Sequence, residues 1–227
     1  MFKRIYLDVE TLPPEKDDPL VKECAARASC EEEFRKLALD GAYGRLLCVG
    51  LVVEEGDRIT QRGVIGRSRS TREFHLDESR TLRAFWKLVK DFNPRRDLLV
   101  GFNLLDFDLP FICTRSVIKQ IRPSFDVCFA RFRSRPVFDV MWEFCRWRHR
   151  IKLDELAKIL GLESSKQHGV DGGSVYDLFL AGRHQEIADY CLRDVELVRK
   201  IYHRMNFLDR PEFEAGRATS SIEVNHS

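Results

Sequence analysis

The sequence predicts an α/β domain in which a central β-sheet is flanked by helices. Short apolar runs with strand-like patterns alternate with segments of helical periodicity, and two of these runs end in closely spaced carboxylates. The chain has 227 residues and is 44% hydrophobic, which is enough for one sizeable core. We expect one elaborated domain over residues 1–207, with an insertion at about 12–44, followed by a polar tail at 208–227.

The composition restricts the class of protein. A formal net charge of +2 means that affinity for a polyanion must come from local patches. The seven cysteines are scattered and include no Cys-x-x-Cys pair, so the sequence indicates neither a disulfide framework nor a zinc knuckle. No apolar run approaches the length of a membrane span or a signal-peptide core. We therefore expect a cytoplasmic protein with reduced thiols and no membrane association.

The first strand, Lys3–Thr11, ends in two acidic residues. Alternate side chains share one face of a strand, so Tyr6, Asp8 and Glu10 should point the same way. Two carboxylates this close repel each other unless water or a cation screens them. A divalent-metal site and a solvated acidic turn are both consistent with this strand alone.

Further elements follow the first strand. Pro13-Pro14 ends it, and the polar stretch that follows contains a predicted helix over Glu31–Leu39. The apolar run Leu46–Val53 predicts a buried strand, with Arg58–Ile65 as its hairpin partner.

The middle of the chain repeats the order of strand and helix. Asp77 can cap a helix whose apolar residues follow helical spacing up to Asn93-Pro94. Leu98–Phe102 predicts a buried strand, and a helix is expected over Leu109–Ile121. The acidic residues between these two elements make this the second strand end that carries carboxylates.

A basic segment runs from Arg115 to Lys152, with ten Lys or Arg residues against three acidic ones. It contains a predicted strand or turn at Val137–Val140 and a short helix at Met141–Trp147. Its arginines at 131, 133 and 135 alternate with aromatic residues, which suits base stacking combined with phosphate contact. A solvated basic face with inward-packed phenylalanines is equally consistent with the pattern.

The last predicted element is a helix over His184–Met205, preceded by a shorter one over Lys152–Leu160. Asp194 falls within the apolar face of the final helix, one turn after Tyr190. A carboxylate among buried positions requires a basic partner or a metal. The glycines between the two helices lack the spacing of a P-loop, which excludes a nucleoside triphosphatase of that type.

Three motifs in this order resemble the DEDD superfamily of 3'-to-5' exonucleases. They are Asp8-Val-Glu10 on the first strand, Asn103-x-x-x-Phe107-Asp108 after a later strand, and Tyr190-x-x-x-Asp194 on the last helix. The tyrosine matches the DEDDy branch, since the histidine branch requires His where Asp189 stands. The stretch Gly101–Pro110 is most similar to the proofreading exonuclease domain of family-B DNA polymerases.

The resemblance implies a ribonuclease H-like fold with a mixed sheet of about five strands, and hydrolysis of phosphodiester bonds with two Mg²⁺ or Mn²⁺ ions. The implied catalytic residues are the metal ligands Asp8, Glu10, Asp108 and Asp194, together with Tyr190, which would orient the attacking water. Asp106 is then expected to be a helix cap or surface residue. We expect substrate contacts from Thr11, Leu12, Asn103, Phe107, Arg131, Arg133, Arg135 and Lys166.

The expected substrate is a nucleic acid with a free 3' end, and the Asn-x-x-x-Phe-Asp form favours DNA over RNA. A ribonuclease D-type exoribonuclease shares the tyrosine pattern and stays an alternative. A catalytically silent nucleic-acid-binding module is the alternative of another class, although all four acids and the tyrosine are present. The sequence contains no polymerase domain, so the basic segment or a protein partner is expected to deliver 3' ends. The oligomeric state is not predicted.

Overall fold

A computed structural model describes residues 2–15, 31–68, 70–165 and 172–209. Five strands form one mixed sheet in the order β3-β2-β1-β4-β5, with β1 antiparallel to β2 and parallel to β4. The strands are β1 (Lys3–Leu12), β2 (Arg45–Glu55), β3 (Arg58–Ile65), β4 (Leu98–Gly101) and β5 (Val137–Asp139). The predicted mixed sheet of five strands is confirmed.

Helices flank both faces of this sheet. They are α1 (Glu31–Lys36), α2 (Glu78–Leu88), α3 (Asp108–Ile118), α4 (Val140–Cys145), α5 (Leu153–Ile159), α6 (Val175–Leu180) and α7 (His184–Met205), with a 3-10 turn at Leu37–Leu39 after α1. Helix α2 ends before the predicted stop at Asn93-Pro94, and α6 was not predicted. None of the helices in the described ranges has the length and apolar composition needed to cross a membrane.

The alternation of side chains along β1 divides the core. Ile5, Leu7 and Val9 belong to a cluster with residues of α2 and α3 on one face. On the other face, Tyr6 belongs to a cluster with residues of α7. Asp8 and Glu10 share the parity of Tyr6, so the two carboxylates point towards the last helix, as the alternation predicts.

The sheet and α7 approach each other closely beside Asp8. Gly50 of β2 lies opposite Asp8 in the antiparallel pairing. A Cβ atom at Gly50 would lie 2.7 Å from Sγ of Cys191 and 3.1 Å from Cγ2 of Val195. The absence of a side chain at Gly50 therefore determines how close α7 lies to the acidic end of β1.

Asp139, at the end of β5, holds the turn that precedes α3. Its carboxylate accepts hydrogen bonds from the backbone N–H groups of Met141 and Trp142, which caps α4. It also accepts from the backbone N–H groups of Asn103 and Leu105 at 3.1 and 3.0 Å. Asp139 therefore has a structural role, and the turn carrying the second acidic motif is fixed to the sheet.

A buried ionic network stabilises the far end of β1 and β2. Glu54 accepts hydrogen bonds from Arg4 Nε and the Tyr6 hydroxyl, both at 2.8 Å, and from Arg199 Nε. His203 Nε2 lies 3.1 Å from the same carboxylate. Burial by itself raises the pKa of Glu54, but the hydrogen bonds from His203, Tyr6 and Arg199 outweigh it and lower the pKa to about 2.

Candidate active site

The two acids of β1 lie together at the end of the central strand. Carboxylate oxygens of Asp8 and Glu10 and Sγ of Cys191 all lie within 4.8 Å of one another. Glu10 is buried, while Asp8 is half-buried. The main chain beneath these two side chains is paired with β2, where Asp8 lies opposite Gly50 and Glu10 opposite Cys48.

The third acid is fixed to the same strand by the main chain. Asp108 is the first residue of α3 and is 2% exposed. Its Oδ1 accepts a hydrogen bond of 3.0 Å from the backbone N–H of Val9, which stands between Asp8 and Glu10. This bond brings the second predicted motif directly against the first.

Helix α7 supplies the remaining two predicted residues. Tyr190 and Asp194 are 6% and 7% exposed, and they lie one turn apart on the side that packs on the sheet. The phenol of Tyr190 interacts with the carboxylate of Asp194, and the negative charges of Glu10 and Asp8 also act on it. The structure thus brings Asp8, Glu10, Asp108, Asp194 and Tyr190 to one place, as the sequence predicts.

Burial and mutual repulsion dominate the electrostatics of this group. Burial and the negative charges of Asp108, Glu10 and Asp194 raise the pKa of Asp8 well above its ordinary value. Burial also raises the pKa of Glu10, and electrostatic interactions with Cys48, Asp194 and Asp108 raise it further. Burial also raises the pKa of Asp108 to about 7, although hydrogen bonds from its own and the Val9 backbone N–H groups act in the opposite direction.

Such a group of carboxylates fits divalent cations. Carboxylate oxygens are the hard ligands that Mg²⁺ and Mn²⁺ prefer, and a cation removes the repulsion that raises these pKa values. A hydrogen bond with Cys48, together with burial, raises the pKa of Cys191 well above its ordinary value. Cys191 is therefore a neutral thiol, which leaves the oxygen donors to bind a hard cation.

Two cavities open onto the acids. Both are lined by Asp8, Tyr190 and Asp194. The first, of about 460 Å³, is bounded on its far side by residues of the insertion and of α6, among them Arg35, Lys36, Leu39 and Tyr176. The second, of about 620 Å³, extends past Phe102 and Asn103 towards Arg150 and Lys152. A chain-like ligand could therefore approach the acids from one side and leave a terminal unit on the other.

Substrate contacts were also predicted for four residues near the acids, and three of these residues line a cavity. Thr11 and Phe107 line the first cavity, and Asn103 lines the second. Leu12 is 2% exposed and belongs to an apolar cluster. The prediction that its side chain contacts substrate was therefore wrong. The strand continues to Leu12 and buries it, because Pro13-Pro14 interrupts the strand only afterwards.

Asn103 lies in the turn that precedes α3. Its φ of +56° places it in the left-handed region, and its main chain is held by Asp139. Within the part of the chain that the structure describes, its Oδ1 is buried without a hydrogen-bond partner. Asn103 nevertheless lines the second cavity.

The basic segment is only partly a free surface. Arg131, Arg133 and Arg135 are exposed, and Arg135 lies over the ring of Phe2 at 5.3 Å. Arg115, by contrast, is buried and donates to Glu78, with Nε 3.0 Å from Oε2. The predicted Lys166 contact lies outside the described residues.

Asp106 has a different role from the predicted helix cap or surface residue. Its side chain is 9% exposed and pairs with Arg131 and Arg150. It also accepts a hydrogen bond of 3.2 Å from Nε1 of Trp142. The prediction was wrong because these three partners follow Asp106 at long range in the sequence.

Several residues around the acids were not predicted. Arg35 lines the first cavity and belongs to no motif, while Arg150 and Lys152 line the second and were expected only as members of the basic segment. Cys191 lies 3.8 Å from Oδ2 of Asp8. The sequence gives one indication of this location, since Cys191 directly follows Tyr190 on the apolar face of the helix.

Residues 39–223 match the family model described as a predicted 3'-5' exonuclease related to the exonuclease domain of PolB. The chain belongs to this family. Asp108, Tyr190 and Asp194 lie within the matched residues, whereas Asp8 and Glu10 precede them. The resemblance that the three motifs carry is thereby confirmed at the level of the family.

A solved structure is similar to this chain in its fold. The family B DNA polymerase from the hyperthermophilic archaeon Pyrobaculum calidifontis matches with a TM-score of 0.60 and 19% sequence identity. The match covers 90% of this chain and 24% of the polymerase chain, so this chain spans about a quarter of that length. The fold is thus ribonuclease H-like, as in a polymerase exonuclease domain. A comparison with curated protein sequences finds no match.

Proposed function

We propose that this protein removes nucleotides one at a time from the 3' end of single-stranded DNA and releases nucleoside 5'-monophosphates. The observation that carries this proposal is the convergence of four carboxylates from three separate elements beside a buried tyrosine. Membership of an exonuclease family supports the direction of attack. Relatedness of that family to a polymerase domain favours DNA over RNA.

In the proposed site, Asp8, Glu10, Asp108 and Asp194 hold two divalent ions, Mg²⁺ or Mn²⁺. When bound, the ions supply an activated water and neutralise the charge that develops on the phosphate oxygens. The Val9 N–H bond fixes the carboxylate of Asp108 to the main chain of β1, beside Asp8 and Glu10, so this ligand is in place before a cation binds. The fold thus contributes to the proposed activity by arranging a ligand before the cation binds.

Tyr190 positions the attacking water in this proposal. Burial and the charges of Asp194, Glu10 and Asp8 raise the pKa of Tyr190 well above its ordinary value. The phenol therefore stays protonated and can donate a hydrogen bond, but it cannot accept a proton as a general base. Its role is geometric, since it fixes the line of attack on the phosphorus atom.

The proposed path of the substrate follows the two cavities. The terminal nucleotide occupies the first cavity, beside Thr11 and Phe107, and the scissile phosphate lies at the acids. The preceding nucleotides leave along the second cavity, past Asn103 and Arg150. The exposed arginines at 131, 133 and 135 then contact phosphates further from the terminus.

Single-stranded DNA and RNA, labelled at the 3' or the 5' end, test this proposal in the presence of Mg²⁺ or Mn²⁺. We expect the 3' label to be released as a mononucleotide, and the 5' label to give a ladder that shortens with time and stops on chelation. Asp8→Asn and Asp194→Asn should abolish cleavage. Asp189→Asn is the matched control, because Asp189 is an exposed acid on the same helix and the amide retains the oxygen that accepts from Gln185.

Three outcomes would contradict the proposal. Internal cleavage products would exclude the 3'-to-5' direction, and faster cleavage of RNA would favour the exoribonuclease alternative. Binding of DNA without metal-dependent cleavage of either polymer would leave the silent binding module as the function.

A further inference from the structure

An anchored pair of arginines lies at the outer end of the second cavity. The carboxylate of Asp106 pairs with Nη2 of Arg131 and with Nη2 of Arg150, the latter at 2.9 Å. The two arginine side chains are 54% and 64% exposed, while Asp106 is nearly buried. One negative charge thus holds two positive charges in place, while more than half of each arginine side chain stays exposed.

A ladder of aromatic rings continues from Arg150. Its guanidinium lies 5.7 Å from the ring of Trp142, which is stacked on Trp147 at 5.5 Å with an interplanar angle of 1°. Phe132 follows with its ring 5.0 Å from Trp147 and is 76% exposed. We call Arg131, Arg150, Trp142, Trp147 and Phe132 the stacking platform.

The backbone of the platform is unusual. Phe132 has a φ of +60° and Trp147 a φ of +61°, a region that bulky side chains rarely occupy. Such conformations persist only where the surrounding structure holds them in place. Here the ring contacts and the Asp106 anchor surround two aromatic residues in the left-handed region, and Phe132 stays largely exposed.

We propose that the stacking platform binds unpaired bases of single-stranded DNA upstream of the 3' terminus. This inference rests on the proposed function for the identity of the ligand. Arg150 lines the second cavity together with Asp8, Tyr190 and Asp194, so the platform is continuous with the acids. A base stacks on Phe132 while Arg131 and Arg150 contact the adjoining phosphates.

Charge and shape favour this ligand over other occupants. The arginines complement phosphate, whereas the exposed ring requires a flat apolar surface, and an unpaired nucleotide presents both. Bases within a duplex are already stacked and paired, so they cannot lie on the ring. The platform therefore selects single strands without reading their sequence.

Binding without turnover tests the platform separately from the chemistry. Fluorescence anisotropy in EDTA would compare thymidine oligonucleotides of about 4 and about 12 residues, a range that covers ordinary single-strand sites. Phe132→Asn removes the ring but keeps a residue that tolerates positive φ. Since stacking on an aromatic ring stabilises a bound base measurably, we expect Phe132→Asn to raise Kd for the longer oligonucleotide about fivefold or more.

Phe207→Asn is the matched control. Phe207 is also an exposed phenylalanine, with φ of +58° and 59% exposure, and it follows the end of α7 opposite to that bearing Tyr190. Its substitution should leave Kd unchanged. Equal affinities of the Phe132→Asn and Phe207→Asn proteins would overturn the inference, as would equal affinity for a blunt duplex and a single strand.

Tryptophan fluorescence of the unmodified protein and binding of RNA provide further tests of the platform. In the unmodified protein, the longer oligonucleotide should quench the emission of Trp142 and Trp147, since the third tryptophan, Trp86, is buried; no quenching would count against the platform. An oligouridine should show the same dependence on Phe132, and an effect confined to RNA would overturn the assignment to DNA.

The platform and the proposed function can fail separately. DNA binding that depends on Phe132 in a protein without nuclease activity would refute the proposed function but support the platform. Nuclease activity and DNA binding that do not depend on Phe132 would support the proposed function but refute the platform.

Discussion

The backbone N–H of Val9 donates a hydrogen bond of 3.0 Å to Oδ1 of Asp108. A strand and the first residue of a helix are thereby joined between the two acids of the strand. The bond lowers the pKa of Asp108, but burial has the larger effect and raises it to about 7. The main chain thus keeps Asp108 in a position where its charge is unfavourable unless a cation is bound.

Asp108→Asn should stabilise the protein in the absence of metal. The amide keeps the oxygen that accepts from Val9 and removes one of the repelling charges. At about pH 8 in EDTA we expect a gain of ~1 kcal/mol or more in the free energy of unfolding, which corresponds to a rise in Tm of about 2–4 °C. Mn²⁺ should raise the Tm of the unmodified protein, and the same substitution should abolish both that rise and cleavage.

The pH dependence of that gain follows from the direction of the shift. The folded-state pKa of Asp108 is raised from the usual 3.8 to about 7. Its contribution to stability is therefore fully present below 3.8 and is lost as pH rises through 7. The advantage of Asp108→Asn should be complete above that range and disappear in acid, and a gain independent of pH would contradict this account.

Tyr190→Phe should slow the chemical step without weakening metal binding. Phenylalanine preserves the packing of a ring that is 6% exposed, but the hydrogen bond to the attacking water is lost. We expect single-turnover rates to fall about 100-fold, since misplacement of a reacting group by small distances has effects of this size. Tyr202→Phe, at an equally buried site further along the same helix, should retain activity. A similar loss in both variants would indicate a general effect on α7.

Gly50→Ala should separate α7 from the sheet. The new Cβ would lie 2.7 Å from Sγ of Cys191, so the helix carrying Tyr190 and Asp194 must shift. Overpacking of this kind typically costs about 1–3 kcal/mol, and both Tm and the cleavage rate should fall.

Gly63→Ala is the control for that substitution, since a Cβ atom at Gly63 would have no heavy atom within 4 Å. Adding Cys191→Ala to Gly50→Ala should recover part of the lost stability, because it removes the nearest clashing atom. No recovery in the double variant would show that the sulfur is not the obstacle.

Glu54→Gln should destabilise the fold at neutral pH by about 2–4 kcal/mol, because it leaves the buried Arg4 and the half-buried Arg199 and His203 without their carboxylate. The pKa of Glu54 is lowered from 4.5 to about 2, so its contribution is present above 4.5 and is lost as pH falls through 2. Urea denaturation over this range should show the two proteins converging in acid. Glu55→Gln, the adjacent residue with a partly exposed ion pair to Lys3, should change stability little.

Local patterns were sufficient to predict the main elements and the acidic group. The bounds of β3 and α7 agree with the predicted Arg58–Ile65 and His184–Met205. The period of two in β1 placed Asp8 and Glu10 on one face, and the apolar face of α7 contained Asp194. These features depend on contacts within one element, which a sequence displays directly.

Long-range partners account for most of what the sequence did not reveal. Asp106 and Arg115 are both charged residues that a sequence alone places at the surface, yet both are held in tertiary ion pairs. Helix α6 spans only six residues, too short for its periodicity to be distinguished from a turn. Leu12 continues a strand whose end could not be located to the residue.

An exposed ion pair between α1 and α6 holds the wall of the first cavity, and salt can weaken this ion pair. Arg35 of α1 donates to both carboxylate oxygens of Asp177 in α6, at 2.9 and 2.7 Å, and lies over the ring of Tyr176. Ion pairs exposed to solvent, as this one is, contribute little to stability and are screened within a Debye length. Ionic strength will therefore act on the mouth of the cavity before it affects the core. Under the proposed function, a cleaved nucleotide should leave faster in concentrated salt even though capture of the strand is weaker.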